Sequence, residues 1–223
     1  MLKHLDWDTK FFGRTIGELV APENSYEVRG YDLIYVKTEA DSVDIKGFTN
    51  KYKEKKLVFF KKLQAKHEGV NNIRPIISKE YLQELYLIAF ESGKHSRFKM
   101  DSNLNIFFEP LYREWVDKSF SRSIADDVLG YFSGDKLAGM VTYRSSADAA
   151  TIGLIGVLPQ YQGQGIGKQL LAYVENELLQ KRIYKLYIPT QESNSAACNF
   201  YICQGYSVAE KINIMHYYKN DTI

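Results

Sequence analysis

The sequence predicts an α+β protein, with a central and mostly antiparallel sheet flanked by helices and preceded by a small β-α-β domain. Three observations carry this expectation. Runs rich in β-branched and aromatic residues are interleaved with segments whose apolar residues recur every three or four positions. In the middle of the chain, three strand-like runs follow one another closely enough to pair as hairpins. Near residue 75 a polar stretch separates a strand-rich front from a back in which helices and strands mix. The 223 residues can bury a sizeable core, and 45% hydrophobic with 25% charged residues lies far from the composition of disordered chains. Lysine and arginine total 29 against 27 aspartate and glutamate, a net charge of +2 that gives no electrostatic case for a dedicated nucleic-acid binder.

In the front part, Thr15 to Val20, Tyr31 to Lys37 and Lys56 to Leu63 read as strands. A short helix is expected within DSVDIKGFTNKYKE, residues 41–54, completing a strand, helix, strand unit. Seven lysines between Lys51 and Lys66, against one glutamate, read as a solvated strand face or as an anion-steering patch. The polar stretch His67 to Pro75 is the expected linker, which sets domains at 1–75 and 76–223.

In the back part, Ser78 stands where a helix would begin, and Leu82, Leu85, Tyr86 and Ala89 follow at helical spacing, with Gly93 in the place of a C-cap. A second helix is expected from Phe108 to Phe120, carrying Leu111, Trp115, Val116 and Phe120 on one side. VLGYFS, GDKLAGMVTYR and ATIGLIGV read as strands, the first two antiparallel across a Ser133-Gly134-Asp135 turn. Ile166, Leu170, Leu171, Val174 and Leu178 predict a helix to about Arg182. A strand from Tyr184 to Ile188, a helix from Asn194 to Gln204 stopped by Gly205, and a final strand from Tyr206 to Tyr218 complete the chain.

No apolar run approaches the length that spans a bilayer, and the opening MLKHLDWDTK lacks the apolar stretch of a signal peptide, so no membrane partner and a cytoplasmic location are expected. Cys198 and Cys203 fall in one predicted helix, where about 100° per residue turns them well apart, and read as reduced packing residues. His4, His67, His95 and His216 show no paired ligand spacing, and no metal is expected.

The informative stretch is Val157 to Lys168, a glycine turn between a strand and a helix. Alternate glycines at 163, 165 and 167 let backbone amides converge on an anion, and the helix N-terminus adds its partial positive charge. A Walker loop needs four residues between its first glycine and the Gly-Lys pair; three separate Gly163 from Gly167-Lys168, and Gln169 follows where Ser or Thr belongs. A dinucleotide fingerprint needs glycine where Lys168 stands, after a parallel βαβ unit that the antiparallel strands do not supply.

Gln162-Gly163-Gln164-Gly165-Ile166-Gly167 resembles the Gln/Arg-x-x-Gly-x-Gly/Ala pyrophosphate loop of the GNAT superfamily of N-acetyltransferases. The surroundings resemble it too: Val157-x-Pro159 ahead of the loop, and Asn194-x-x-Ala197-x-x-Phe200-Tyr201-x-x-x-Gly205-Tyr206 downstream. The resemblance covers about residues 78 to 218 and implies the GNAT fold, with acetyl-CoA as donor. It implies that amides of Gln162, Gly163, Gln164, Gly165, Ile166, Gly167 and Lys168 hold the pyrophosphate, and that the pantetheine arm pairs along Leu154, Ile155, Gly156 and Val157. Gly153 and Gly156 permit a bulge and a close approach of ligand backbone in that strand. Lys168 adds a charge near the phosphates or is simply solvated.

Asn194 and Tyr201 are seven residues apart, about 20° short of two helical turns, so both can face one groove. The resemblance assigns both to the donor site, with Tyr201 as the acid that protonates the departing thiolate; a tyrosine is protonated at neutral pH, as an acid must be. Tyr201 as a packing residue and Asn194 as a helix N-cap are the structural alternatives. Glu91, Asp101 and Glu109 lie near the expected acceptor side, but no general base is assigned.

A narrower resemblance concerns the acceptor. Leu5-Asp6-Trp7-Asp8-Thr9-Lys10-Phe11-Phe12-Gly13 is similar to the opening of the bacterial dTDP-fucosamine acetyltransferases, and His95-Ser96-Arg97-Phe98 to their acceptor-side segment. Composition alone makes Trp7, Phe11 and Phe12 an aromatic core corner and Arg97 a loop arginine. The resemblance implies a dTDP-4-amino-4,6-dideoxyhexose as acceptor, Arg97 as a residue near its diphosphate, and a contribution of the first domain to the acceptor side. A GNAT acting on a protein or another small amine, and a non-catalytic acyl-CoA-binding module, are the alternatives. The partners expected are thus acetyl-CoA and a small-molecule amine, a nucleotide sugar, with a homodimer left open.

Overall fold

The computed structural model describes residues 1–21 and 25–220; residues 22–24 and 221–223, which fall within the two predicted domains, lie outside them. Contacts divide the chain into two compact units. One holds Met1–Leu57, Thr190–Ser195 and the chain from Glu210 onward, and the other Val58–Pro189 and Ala196–Ala209. The described residues form twelve strands and six helices.

The first unit opens with β1 (Leu2–His4), α1 (Asp6–Phe12) and β2 (Ile16–Val20), continues through β3 (Ser25–Glu27), β4 (Leu33–Thr38), β5 (Asp44–Lys46) and the start of β6 (Phe48–Lys62), and takes most of β12 (Ser207–Lys219). β1 and β2 are antiparallel, β2 and β4 parallel, and β4 and β12 antiparallel from Asn213↔Thr38 to Tyr218↔Leu33. This last pairing brings chain from far beyond residue 75 into the unit. Leu19, Ile34, Val36, Val43, Ile45 and Met215 form its core.

The helix of this unit is α1, and residues 41–54 are strand, turn and strand, which corrects the expected helix there. Val43 and Ile45 are buried on either side of exposed Asp44, an alternation of period two that a helix cannot satisfy. α1 is favoured by Asp6 and Asp8 in its first turn and Lys10 in its last, and it ends at Gly13. Only Phe12 joins the core; Trp7 stacks on Phe11 one turn away, at 4.8 Å between ring centres, and remains exposed. The aromatic corner is therefore half a surface feature.

In the second unit the strand order is β6, β11 (Lys185–Gln191), β10 (Ala150–Val157), β9 (Lys136–Ser145), β8 (Asp127–Ser133) and β7 (Ile73–Pro75). All neighbours from β7 to β10 are antiparallel, while β10 and β11 are parallel. α2 (Leu82–Gly93) and α4 (Phe108–Phe120) bury Leu85, Ile88, Tyr112 and Val116 against Phe132, Met140 and Leu154. α3 (Arg97–Met100) is a single turn between them. α5 (Ile166–Gln180) covers the opposite face: Met140 points into the α2/α4 cluster, and its neighbour Gly139 lies under Ile166 and Leu170. α6 (Ser195–Cys203) follows β11.

Two further expectations are corrected. Gly93 is the last residue of α2 and not a left-handed cap; a β-carbon there would sit 2.2 Å from the Tyr112 ring, so the glycine is needed for the approach of α2 to α4. The stretch 67–75 is not a loose linker. Asn176 of α5 clamps the His67 backbone from both sides, at 2.8 and 2.9 Å, and Ile73–Pro75 pairs with β8. The two cysteines, both on α6, form no disulfide, and Cys203 is exposed and does not pack.

Candidate active site

β10 is the strand on which the site is built. Its register with β9 runs to Val157↔Gly139, whereas its register with β11 ends at Thr151. From Ile152 onward one edge of β10 therefore turns away from its parallel neighbour, and the register with β9 shifts between Ile152 and Ile155. The expected bulge is present. Leu154 N–H, displaced from the ladder, donates to the Thr142 hydroxyl at 2.9 Å. At Gly156 the protein itself makes a close approach: a β-carbon there would lie 2.8 Å from the Ile88 carbonyl, so this glycine lets α2 seat against β10.

Beyond Val157 the chain makes a short 3-10 turn, Pro159–Tyr161, and then the glycine loop. Gly163 and Gly165 have φ of +77° and +78°, and a β-carbon on either would meet open space. Gly165 is the N-cap of α5, whose first amides, in Ile166, Gly167 and Lys168, lie where a helix leaves its N–H groups without internal partners. Ile166 is buried, while Gln164, Gly165 and Lys168 are exposed. Gly167 lies under the Phe200 ring of α6, which would sit 3.3 Å from a β-carbon. The arrangement suits a diphosphate, with donors and a helix N-terminus and no side chain across the opening.

Gln162 has a different part from its neighbours. Its amide donates to the Pro159 carbonyl at 3.3 Å, and its side-chain nitrogen bridges the Val157 carbonyl at 3.0 Å and Glu91 at 3.1 Å. Glu91 also accepts from Lys94 at 2.6 Å, so this carboxylate anchors the loop to α2. Asp101 is buried and accepts from the Asn103 backbone and side chain, at 2.9 and 3.1 Å, shaping a turn; Glu109 is exposed on α4.

Tyr201, on α6, is 5% exposed, and its ring lies among Phe59, Phe200 and Tyr206. Burial, and then the nearby Cys198, push its hydroxyl well above the ordinary tyrosine range, so it is protonated at every physiological pH. Asn194 immediately precedes α6 and donates its amide to the Gln191 carbonyl. Arg97 is half-buried, its guanidinium 4.5 Å from the centre of the Phe98 ring. Lys168 lines a cavity of about 400 Å³ on the flank of α5, together with His67, Gly69 and Gly165.

Glu175 was not anticipated from the sequence. It is 2% exposed on α5 and accepts from Lys61 at 2.7 Å, His67 Nε2 at 2.7 Å and the Tyr206 hydroxyl at 2.8 Å. Burial, and then this carboxylate, drive the Tyr206 hydroxyl up. The available signal was its place on the apolar stripe, four residues after Leu171 and three before Leu178. Among the described residues no group of three or more His, Cys, Asp and Glu could hold a metal, and no helix is long and apolar enough to cross a membrane.

Residues 81–206 match the model of the acetyltransferase (GNAT) family. The chain belongs to that family. It is 30% identical over 97 residues to the [Ribosomal protein bS18]-alanine N-acetyltransferase of Escherichia coli (strain K12), a match covering 43% of this chain and 66% of that protein, just short of two thirds. A PaiA N-acetyltransferase from Thermoplasma acidophilum in complex with coenzyme A shares the fold, with a TM-score of 0.53 and 26% identity over 65% of this chain and 96% of that one. A GNAT-family acetyltransferase structure from Novosphingobium aromaticivorans, at 14% identity, extends the likeness of fold to 85% of this chain and 75% of its own, with a TM-score of 0.59.

Proposed function

We propose that this protein is an acetyl-CoA-dependent N-acetyltransferase acting on a primary amine in the cytoplasm. The observation that carries this reading is the open edge of β10 running directly into the glycine loop and the N-terminus of α5. Pantetheine contains amides that can extend a strand edge, and its diphosphate end then reaches the amides of Gly163 to Lys168. The Gln162 amide and side chain are engaged within the loop, so this residue holds the loop's shape.

In the reaction the neutral amine nitrogen attacks the thioester carbonyl and the C–N bond forms; as the C–S bond breaks Tyr201 gives its proton to the departing thiolate, and the proton that the nitrogen sheds passes to water, from which the Tyr201 hydroxyl is restored. At neutral pH the hydroxyl carries that proton, as an acid must. Asn194, at the start of the same helix, belongs to the donor side of this reading. The acceptor is a dTDP-4-amino-4,6-dideoxyhexose, supported by the Leu5-to-Gly13 signature and by Arg97, whose planar fork matches phosphate oxygens. A peptide amine is the second reading, favoured by the 30% identity over 97 residues to an enzyme named for an alanine of a ribosomal protein.

The test is purified protein with acetyl-CoA and a panel of amino-sugar nucleotides, free sugar amines, polyamines and peptides, read by thiol release. Binding of acetyl-CoA in about the micromolar range, without added metal, is expected. Absence of acetyl-CoA binding overturns the donor reading, and binding without turnover on any amine leaves a non-catalytic acyl-CoA module.

A further inference from the structure

The bulge of β10 depends on one side chain of the neighbouring strand. A bulge leaves an amide out of the ladder, and in a buried strand that amide must find another acceptor. Here Leu154 N–H is met by Thr142 Oγ1 at 2.9 Å, and Thr142 is 2% exposed in the middle of β9. The same hydroxyl lies 2.8 Å from where a β-carbon of Gly153 would be, so any other residue at 153 would displace it. Hydroxyl and glycine fit each other, at the point where β10 leaves its register with β11.

We propose that Thr142 is a positioning residue for the donor: by accepting the Leu154 amide it fixes the bulge, and so aims the backbone of residues 154–157 at the pantetheine arm. This rests on the donor reading above. Without the hydroxyl, the amide is left unsatisfied in an apolar layer and the segment relaxes toward a different register.

Thr142→Val keeps the shape and removes the acceptor, and Thr142→Ser restores it. Two measurements separate positioning from general destabilisation: calorimetric binding of acetyl-CoA, and amide hydrogen exchange along the chain. The valine variant is expected to bind acetyl-CoA about tenfold more weakly, and to exchange about tenfold faster within residues 152–157 while helix α5 stays protected. The serine variant should return both to within about threefold of the parent. Unchanged acetyl-CoA affinity in the valine variant overturns the proposal, as does faster exchange spread through α5, which marks a general structural defect. A parent protein that does not bind acetyl-CoA overturns the donor reading instead, and the exchange arm still reports whether Thr142 holds the bulge.

Discussion

Tyr201 is surrounded by rings, which makes its proposed role separable from its packing. Tyr201→Phe keeps the contacts with Phe59, Phe200 and Tyr206 and deletes only the proton donor. A general acid predicts a fall in kcat of about 10²–10⁴ with a melting temperature within a degree or two of the parent, on the order of the change a surface substitution makes. Turnover within about threefold of the parent would show that Tyr201 is a packing residue. Gly165 is the complementary case. At φ +78° a β-branched residue costs about 1–3 kcal/mol in strain, and its side chain would stand in the open space over the α5 amides. Gly165→Val is therefore expected to weaken acetyl-CoA binding at least tenfold by calorimetry, and parent-like affinity in folded protein would remove the loop from the site. The glycine loop was readable from the sequence because its chemistry is local, a turn and a helix start within six residues. Thr142 and Glu175 were not, because the partners that define them, Leu154 in one case and Lys61, His67 and Tyr206 in the other, are brought to them by tertiary structure.

Among the elements, legibility follows length and the number of turns over which a pattern can repeat. α4 and β10 fall on the residues expected from spacing and alternation, and α5 ends two residues early. α1 has only seven residues, two turns, too few for its apolar side to declare a period, while residues 41–54 carried enough polar residues to hide the alternation of Val43 and Ile45. Gly93 shows how one residue type serves two purposes: its position at a helix end suggested a cap, but its use is contact between α2 and α4. Gly93→Ala tests this directly. Tyr112 is buried and cannot swing aside, so the added methyl should cost about 1–3 kcal/mol, a drop in melting temperature of several degrees. A cap role predicts instead a left-handed φ at Gly93, which the chain does not have.

At the scale of the whole molecule, the proposed acceptor rests in part on residues outside the family match. The acetyltransferase model matches residues 81–206, and the opening signature Leu5 to Gly13 lies outside it, on a helix of the first unit. If that signature reports the acceptor, nucleotide recognition is required, and a dTDP-linked 4-amino-4,6-dideoxyhexose must have a much larger kcat/KM than the free sugar amine. Arg97 then has a use beyond stacking on Phe98: Arg97→Ala should raise KM for the sugar nucleotide about tenfold or more, consistent with loss of a charge-assisted pair, while KM for acetyl-CoA changes little. A folding defect would raise both and lower the melting temperature. If the likeness to the alanine N-acetyltransferase extends to the acceptor, peptides with a free N-terminal amine turn over and the sugar nucleotide does not. Equal kcat/KM for nucleotide-linked and free sugar amines, or activity confined to peptide amines, would refute the sugar-nucleotide assignment. Either result would leave acetyl transfer in place, because it rests on β10, the glycine loop and α5.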